Sequence, residues 1–166
     1  FFDGILRADG RVATRNYIGV ISTVNCSASV ARMVADRFRG PGLDEFPNVD
    51  GVVPLCYGYG CAMADCGRGY EYLRDALLGY GHHPNFAAVL FIGLGCETMQ
   101  VDMLRTADTR SGDSTLHYLT IQEKGGTRRT IEATVAQIRE MLPSANAFER
   151  QALPAGRLVL GLECGG

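Results

Sequence analysis

Cys26, Cys61 and Cys96 stand at equal intervals of 35 residues in this chain of 166. A thiol that loses its proton is a nucleophile and a soft metal ligand. Equal spacing places all three at one point of a repeating unit, just after a strand-like run. Cys164 follows the last such run in the same way. Three carboxylates keep them company: Glu97 beside Cys96, Glu123 at the end of another apolar run, and Glu163 beside Cys164. Paired carboxylates suit proton transfer or a hard cation. The plainer reading is that cysteine is a small residue that fits tight turns, and that the glutamates are solvated loop residues.

The elements that position these groups read as β-α repeated four times plus a final strand. The centre is Ala87–Gly93, an unbroken apolar run that stops at Gly93-Leu94-Gly95-Cys96-Glu97. Short runs of that kind are strands buried on both faces, the habit of parallel sheets. The other strands are expected at 17–23, 49–55, 115–122 and 157–162. Helices are expected from about 26 to 38, 67 to 78, 98 to 107 and 127 to 142, with Pro143 ending the last. Their inward stripes are Val30, Met33, Val34 and Phe38; Tyr70, Leu73 and Leu77; and Ile131, Val135, Ile138 and Leu142. Asp9-Gly10 between short apolar stretches signals a hairpin in residues 1–15, an arm made basic by Arg7, Arg11 and Arg15. Alternating strands and helices demand right-handed crossovers. The expected fold is therefore α/β: a three-layer Rossmann-like sandwich with a five-stranded, mainly parallel sheet over residues 16–166. Ligands bind such sheets at the C-terminal ends of the strands.

Composition excludes several classes. Net charge is −2, from 16 Lys+Arg against 18 Asp+Glu, so there is no basic excess to hold nucleic acid. No apolar run reaches the length that spans a bilayer. Six cysteines in a chain with a sizeable core point to a reducing cytoplasm, not to a disulfide scaffold. Gly93-Leu94-Gly95 lacks the third glycine of the dinucleotide fingerprint, and Glu97 would repel a pyrophosphate, so no nucleotide is expected. His82 and His83 precede the central strand and His117 lies inside a strand, away from the thiol edge. The chain opens on Phe1 without a methionine and stops just after a strand-like run, as a domain of a longer protein does.

Seven motifs in order give a resemblance across essentially the whole chain. They are residues 7–17 (Arg-Ala-Asp-Gly-Arg-Val-Ala-Thr-Arg-Asn-Tyr), Asn25-Cys26-Ser27-Ala28, Phe46-Pro47-Asn48-Val49-Asp50-Gly51, His83-Pro84-Asn85-Phe86, Gly93–Glu97, Gln122–Thr127 and Cys164-Gly165-Gly166. Together they resemble the altronate/galactarate dehydratase family. The resemblance implies a sugar-acid hydro-lyase giving 2-keto-3-deoxy products, a divalent metal (typically iron), and SAF-type and C-terminal domains elsewhere in the same chain. It also extends to lyases that expel sulfite from sulfolactate. One segment departs from the family: Cys56-Tyr57-Gly58-Tyr59-Gly60-Cys61-Ala62 stands where its members usually carry Thr-His-Gly-x-Gly-Cys-Gly, so Tyr57 takes the place of a histidine. The candidate catalytic residues are Glu97, Cys96, Cys26 and Glu123. Arg15, Asn25, Lys124, Gly125, Gly126 and Thr127 are candidates for binding the substrate, with Arg15 gripping a carboxylate in two-pronged fashion. Cys61 and Cys164 are the candidate metal ligands, and thiols of this number can also hold an iron–sulfur cluster. A scaffolding role, and a homo-oligomer, complete the expectations.

Overall fold

In the computed structural model, residues 1–110 and 115–165 are described; Gly166, the last residue of the final motif, lies outside them. The elements run β1 (Phe2–Leu6), β2 (Val12–Ala13), β3 (Tyr17–Ser22), α1 (Asn25–Asp36), β4 (Gly51–Leu55), α2 (Arg68–Gly81), β5 (Phe86–Gly93), α3 (Val101–Ala107), β6 (Leu116–Thr120), α4 (Thr127–Asn146) and β7 (Arg150–Leu153). β3 to β6 form a parallel sheet in the order β4-β3-β5-β6. Alternate side chains of each strand serve opposite layers. Ile18, Val20, Leu90 and Ile92 meet α1 and α4 through Val30, Val34, Phe38, Ile138 and Leu142. Ile21, Val89 and Phe91 meet α2 and α3 through Leu73, Leu77, Val101 and Leu104. The three layers are as expected, and each buried side chain of this size contributes roughly 1.5–3 kcal/mol.

The parallel sheet has four strands, not five. Residues 157–162, expected as the fifth, are not a strand: a 3-10 turn occupies Ala155–Arg157, and Val159 and Leu162 beyond it are 92% and 87% exposed. Their composition suits a strand, but no backbone ladder joins them to either sheet. Arg157 instead donates to the Gly10 carbonyl, which keeps the tail against the arm. The last strand is β7, seven residues earlier. It pairs antiparallel with β1, which also pairs with β2 across the Asp9-Gly10 turn, giving a second sheet in the order β2-β1-β7.

That small sheet is clasped to the N-terminal edge of the large one. Arg7, 7% exposed, donates to Pro84 O at 2.7 Å, to Asn16 Oδ1 at 2.9 Å and to Arg15 O at 3.4 Å, and stacks over Phe148. Burial pulls its guanidinium down to about 10, so it stays charged at neutral pH. Fully buried Asn16 donates its amide to Asn48 O and Ala145 O, and its backbone N–H to Asp50, which pairs with Arg150 of β7. Arg7, one of the three arginines of the basic arm, is thus a buried fastener.

Three smaller expectations change. Met33 is 50% exposed, because Ala31 takes the inward place on α1. Pro143 lies inside α4, which runs on to Asn146; Asn16 and Asn48 bond to Ala145 and Asn146 and hold the last turn. α3 begins only at Val101, because residues 94–97 fold around a side chain instead of entering a helix.

Candidate functional site at the C-terminal rim

From β3 the chain moves to β4 on one side, then crosses to β5 on the other. The C-terminal ends of β3 and β5 therefore flank the switch point where open α/β sheets bind ligands. Thr23 follows β3 and its N–H donates to Ile92 O of β5 at 3.1 Å. Glu97 follows β5, 2% exposed, with its carboxylate folded back into the loop. Its Oε1 accepts from Thr23 Oγ1 at 2.9 Å and from Leu94 N–H at 3.0 Å, and its Oε2 from Gly95 N–H at 2.6 Å. Two glycines make this possible. A Cβ on Gly93 would overlap Glu97 Oε1, and Gly95 has φ +121°, which side-chain-bearing residues rarely adopt.

The loop after β4 is fastened to the same place. Tyr57 N–H donates to Ser22 Oγ at 2.8 Å, and Asn25 N–H, at the start of α1, donates to Tyr59 O at 2.8 Å. Between them lies a cavity of about 400 Å³ lined by Asn25, Cys26, Tyr57, Tyr59, Cys61 and Met63 among others. Both thiols are exposed, and the Tyr57 and Tyr59 rings meet edge to face with centroids 6.1 Å apart. A smaller hollow of about 130 Å³ at the ends of β5 and β6 is lined by Gly95, Glu97, Gln100, Asp102, Gln122 and Glu123, among others. Exposed Cys96 stands between Gly95 and Glu97. After β6 the chain turns through Lys124, Gly125 and Gly126, with Gly126 N–H on Ile121 O, and enters α4 at Thr127.

Sequence, geometry and relatedness now meet. Residues 4–146 match the family described as D-galactarate dehydratase/altronate hydrolase, second domain. The chain belongs to that family. It is 32% identical over 165 residues to an altronate dehydratase of Bacillus subtilis (strain 168), covering 99% of this chain and 32% of the relative. It is 32% identical over 171 residues to the galactarate dehydratase (L-threo-forming) of Escherichia coli (strain K12), covering 99% and 33%. It is 27% identical over 166 residues to the (2R)-sulfolactate sulfo-lyase subunit beta of Chromohalobacter salexigens, covering 99% and 38%. The chain spans about a third of the length of these curated relatives.

The structure gathers most of the expected site of this dehydratase-family domain on one rim: Asn25, Cys26, Cys61, Cys96, Glu97, Glu123 and Lys124 to Thr127. It does not bring Arg15 there. Arg15 precedes β3 at the opposite edge, where its N–H donates to Asn85 Oδ1 at 3.3 Å and its carbonyl accepts from Arg7. Cys164 and its neighbour Glu163 are also apart. The tail leading to them lines a hollow with Gly10, Arg11, His83 and Asn85, and three residues beyond Gly161 reach at most ~11 Å. Cys61 and Cys164 therefore do not converge. Among the described residues no three His, Cys, Asp or Glu side chains form a set that could hold a metal, so these residues do not complete a metal site by themselves. Thr23 and Ser22, which join the rim loops, were legible only as two polar residues ending an otherwise apolar strand.

Proposed function

We propose that the enzyme containing this domain is a hydro-lyase that dehydrates a sugar acid of the altronate or galactarate kind to a 2-keto-3-deoxy acid, and that the rim supplies one wall of its cleft. The observation that carries this reading is the family match over residues 4–146, with relatives named as dehydratases across the whole chain.

Dehydration of a 2,3-dihydroxy acid removes the proton beside the carboxylate and breaks the bond to the 3-hydroxyl, which leaves as water; the resulting enol becomes the 2-keto group. It needs a base, donors for the charge that develops on the carboxylate, and an acid at the leaving oxygen. Exposed Cys26, Cys61 and Cys96 and the carboxylate of Glu123 are the rim groups free to face a substrate. The turn of Lys124 to Thr127 offers a cation and backbone amides to its carboxylate. SAF-type and C-terminal domains elsewhere in the same chain would cover the rim, and a divalent metal, which the resemblance implies, would need ligands beyond those that the described residues supply. No step here is routed through it.

Purified full-length enzyme is expected to consume altronate or galactarate with accumulation of the 2-keto-3-deoxy acid. Failure across a panel of sugar acids would end the proposal. A second reading, release of sulfite from sulfolactate, is favoured by the sulfo-lyase relative and by the phenols of Tyr57 and Tyr59 in the cavity wall. Sulfite release from sulfolactate, with sugar acids untouched, would select it.

A further inference from the structure

Glu97 stands among the expected catalytic carboxylates, yet both its oxygens are already engaged. We propose that Glu97 is a positioning residue: its buried carboxylate fills the amide nest at the end of β5, ties that loop to Thr23, and so fixes Cys96 and the start of α1 on either side of the switch point.

The geometry carries this in three steps. First, the carboxylate accepts from three donors, Thr23 Oγ1, Leu94 N–H and Gly95 N–H, and is 2% exposed. A general base must offer a free lone pair to the proton it takes; here Oε1 accepts twice, and Oε2, held by the Gly95 N–H, belongs to a side chain almost wholly withdrawn from solvent. Second, the loop is shaped to receive it. Gly93 leaves the space that Oε1 fills, and the φ of +121° at Gly95 turns successive N–H groups toward one point. Successive amides aimed inward make an anion nest of the kind that holds phosphate in nucleotide-binding loops. Here the anion is the protein's own side chain. Third, the two ends of the clamp lead to the thiols. Cys96 immediately precedes Glu97, and Thr23 lies two residues before Asn25, whose N–H holds Tyr59 O against the Cys26–Cys61 cavity.

Removal of the carboxylate leaves buried Thr23 Oγ1 and the half-buried Leu94 and Gly95 N–H groups without their acceptor, and glutamine would turn an amide N–H toward the Gly95 N–H. The kinetic part of the test rests on the hydro-lyase reading; the chemical part does not. In the full-length enzyme, Glu97→Gln and Thr23→Val are compared with the parent. Cys96 is alkylated with iodoacetamide and followed by peptide mass spectrometry, with exposed Cys66 as internal reference. The expected result is a shift of about threefold or more in the Cys96 rate relative to Cys66 in both variants. It is accompanied by a fall in kcat of about tenfold or more, a smaller change in KM, and a pH profile that keeps both limbs. Unchanged Cys96 labelling overturns the proposal. So does a limb of the pH profile lost in Glu97→Gln and kept in Thr23→Val, which would make Glu97 the proton-transfer group. Should Glu97→Gln not fold, Thr23→Val and its labelling decide alone. If the parent turns over no sugar acid, the hydro-lyase reading falls while the labelling still judges Glu97.

Discussion

A carboxylate taken out of water must find donors or lose its charge, and Glu97 finds three within hydrogen-bonding distance. The nest leaves no spare volume. Gly93→Ala places a methyl group where Oε1 now sits, and overpacking of this kind costs typically about 1–3 kcal/mol. For a chain of this size each kcal/mol lowers Tm by about 2–4 °C, so calorimetry of the variant should show a drop of several degrees; an unchanged Tm would mean the loop has another conformation. Cys96 is the contrasting case, an exposed thiol on a rigid turn. Its replacement by alanine removes no buried contact and should leave Tm within about 1 °C.

At the scale of elements, the parallel strands set the site and the segments between them fasten it. Asn16 joins the arm, β3, the approach to β4 and the end of α4 through its bonds to Arg7, Asp50, Asn48 and Ala145. Asn16→Ala orphans several of these groups, and the expected loss is about 2–4 kcal/mol in urea unfolding. A loss under half a kcal/mol would show that the clasp is ornamental. β6 and α4 meet at His117, whose Nδ1 lies 2.9 Å from the Gln137 amide nitrogen. Burial lowers its pKa from the usual 6.5, and a donor on Nδ1 also suits the neutral ring. The unfolded chain therefore binds this proton more readily than the folded one. The stability is fully present above pH 6.5 and declines as pH falls through the lower, folded-state value. His117→Gln should flatten unfolding free energy against pH over that interval; an equally steep dependence in the variant would assign the acid sensitivity elsewhere.

Across the whole molecule the two edges of the sheet divide the work. The N-terminal edge carries the clasp of Arg7, Asn16, Asp50, Asn85 and Arg150, and the C-terminal edge carries the thiols, Glu123 and the turn into α4. Substitutions at the first edge should lower stability, and substitutions at the second should lower turnover. Cys26→Ala and Cys96→Ala in the full-length enzyme are expected to reduce kcat about tenfold or more, equal to ~1.4 kcal/mol of barrier, with Tm preserved. Intact turnover in both would make this domain a scaffold for catalysis elsewhere in the chain.

What the sequence determined by itself was the local and the periodic. Unbroken apolar runs placed β3 to β6, and helical stripes placed α1, α2 and α4, because burial on one face or two imposes its period on the chain. The spacing of 35 residues put Cys26, Cys61 and Cys96 on one rim, because one β-α unit has that length and every unit winds the same way. What only the tertiary structure decided was where each polar group finds its partner. Residues 157–162 have the composition of a strand, but a strand exists only where its backbone pairs with another, which composition does not encode. Arg7 and Arg15 read as parts of one basic arm, yet the fold buries Arg7 and leaves Arg15 far from the thiols. Glu97 read as a free acid beside a thiol; the hydroxyl that captures it lies 74 residues away in sequence, at the end of a different strand. Such pairings are set by three-dimensional proximity, and no local pattern announces them.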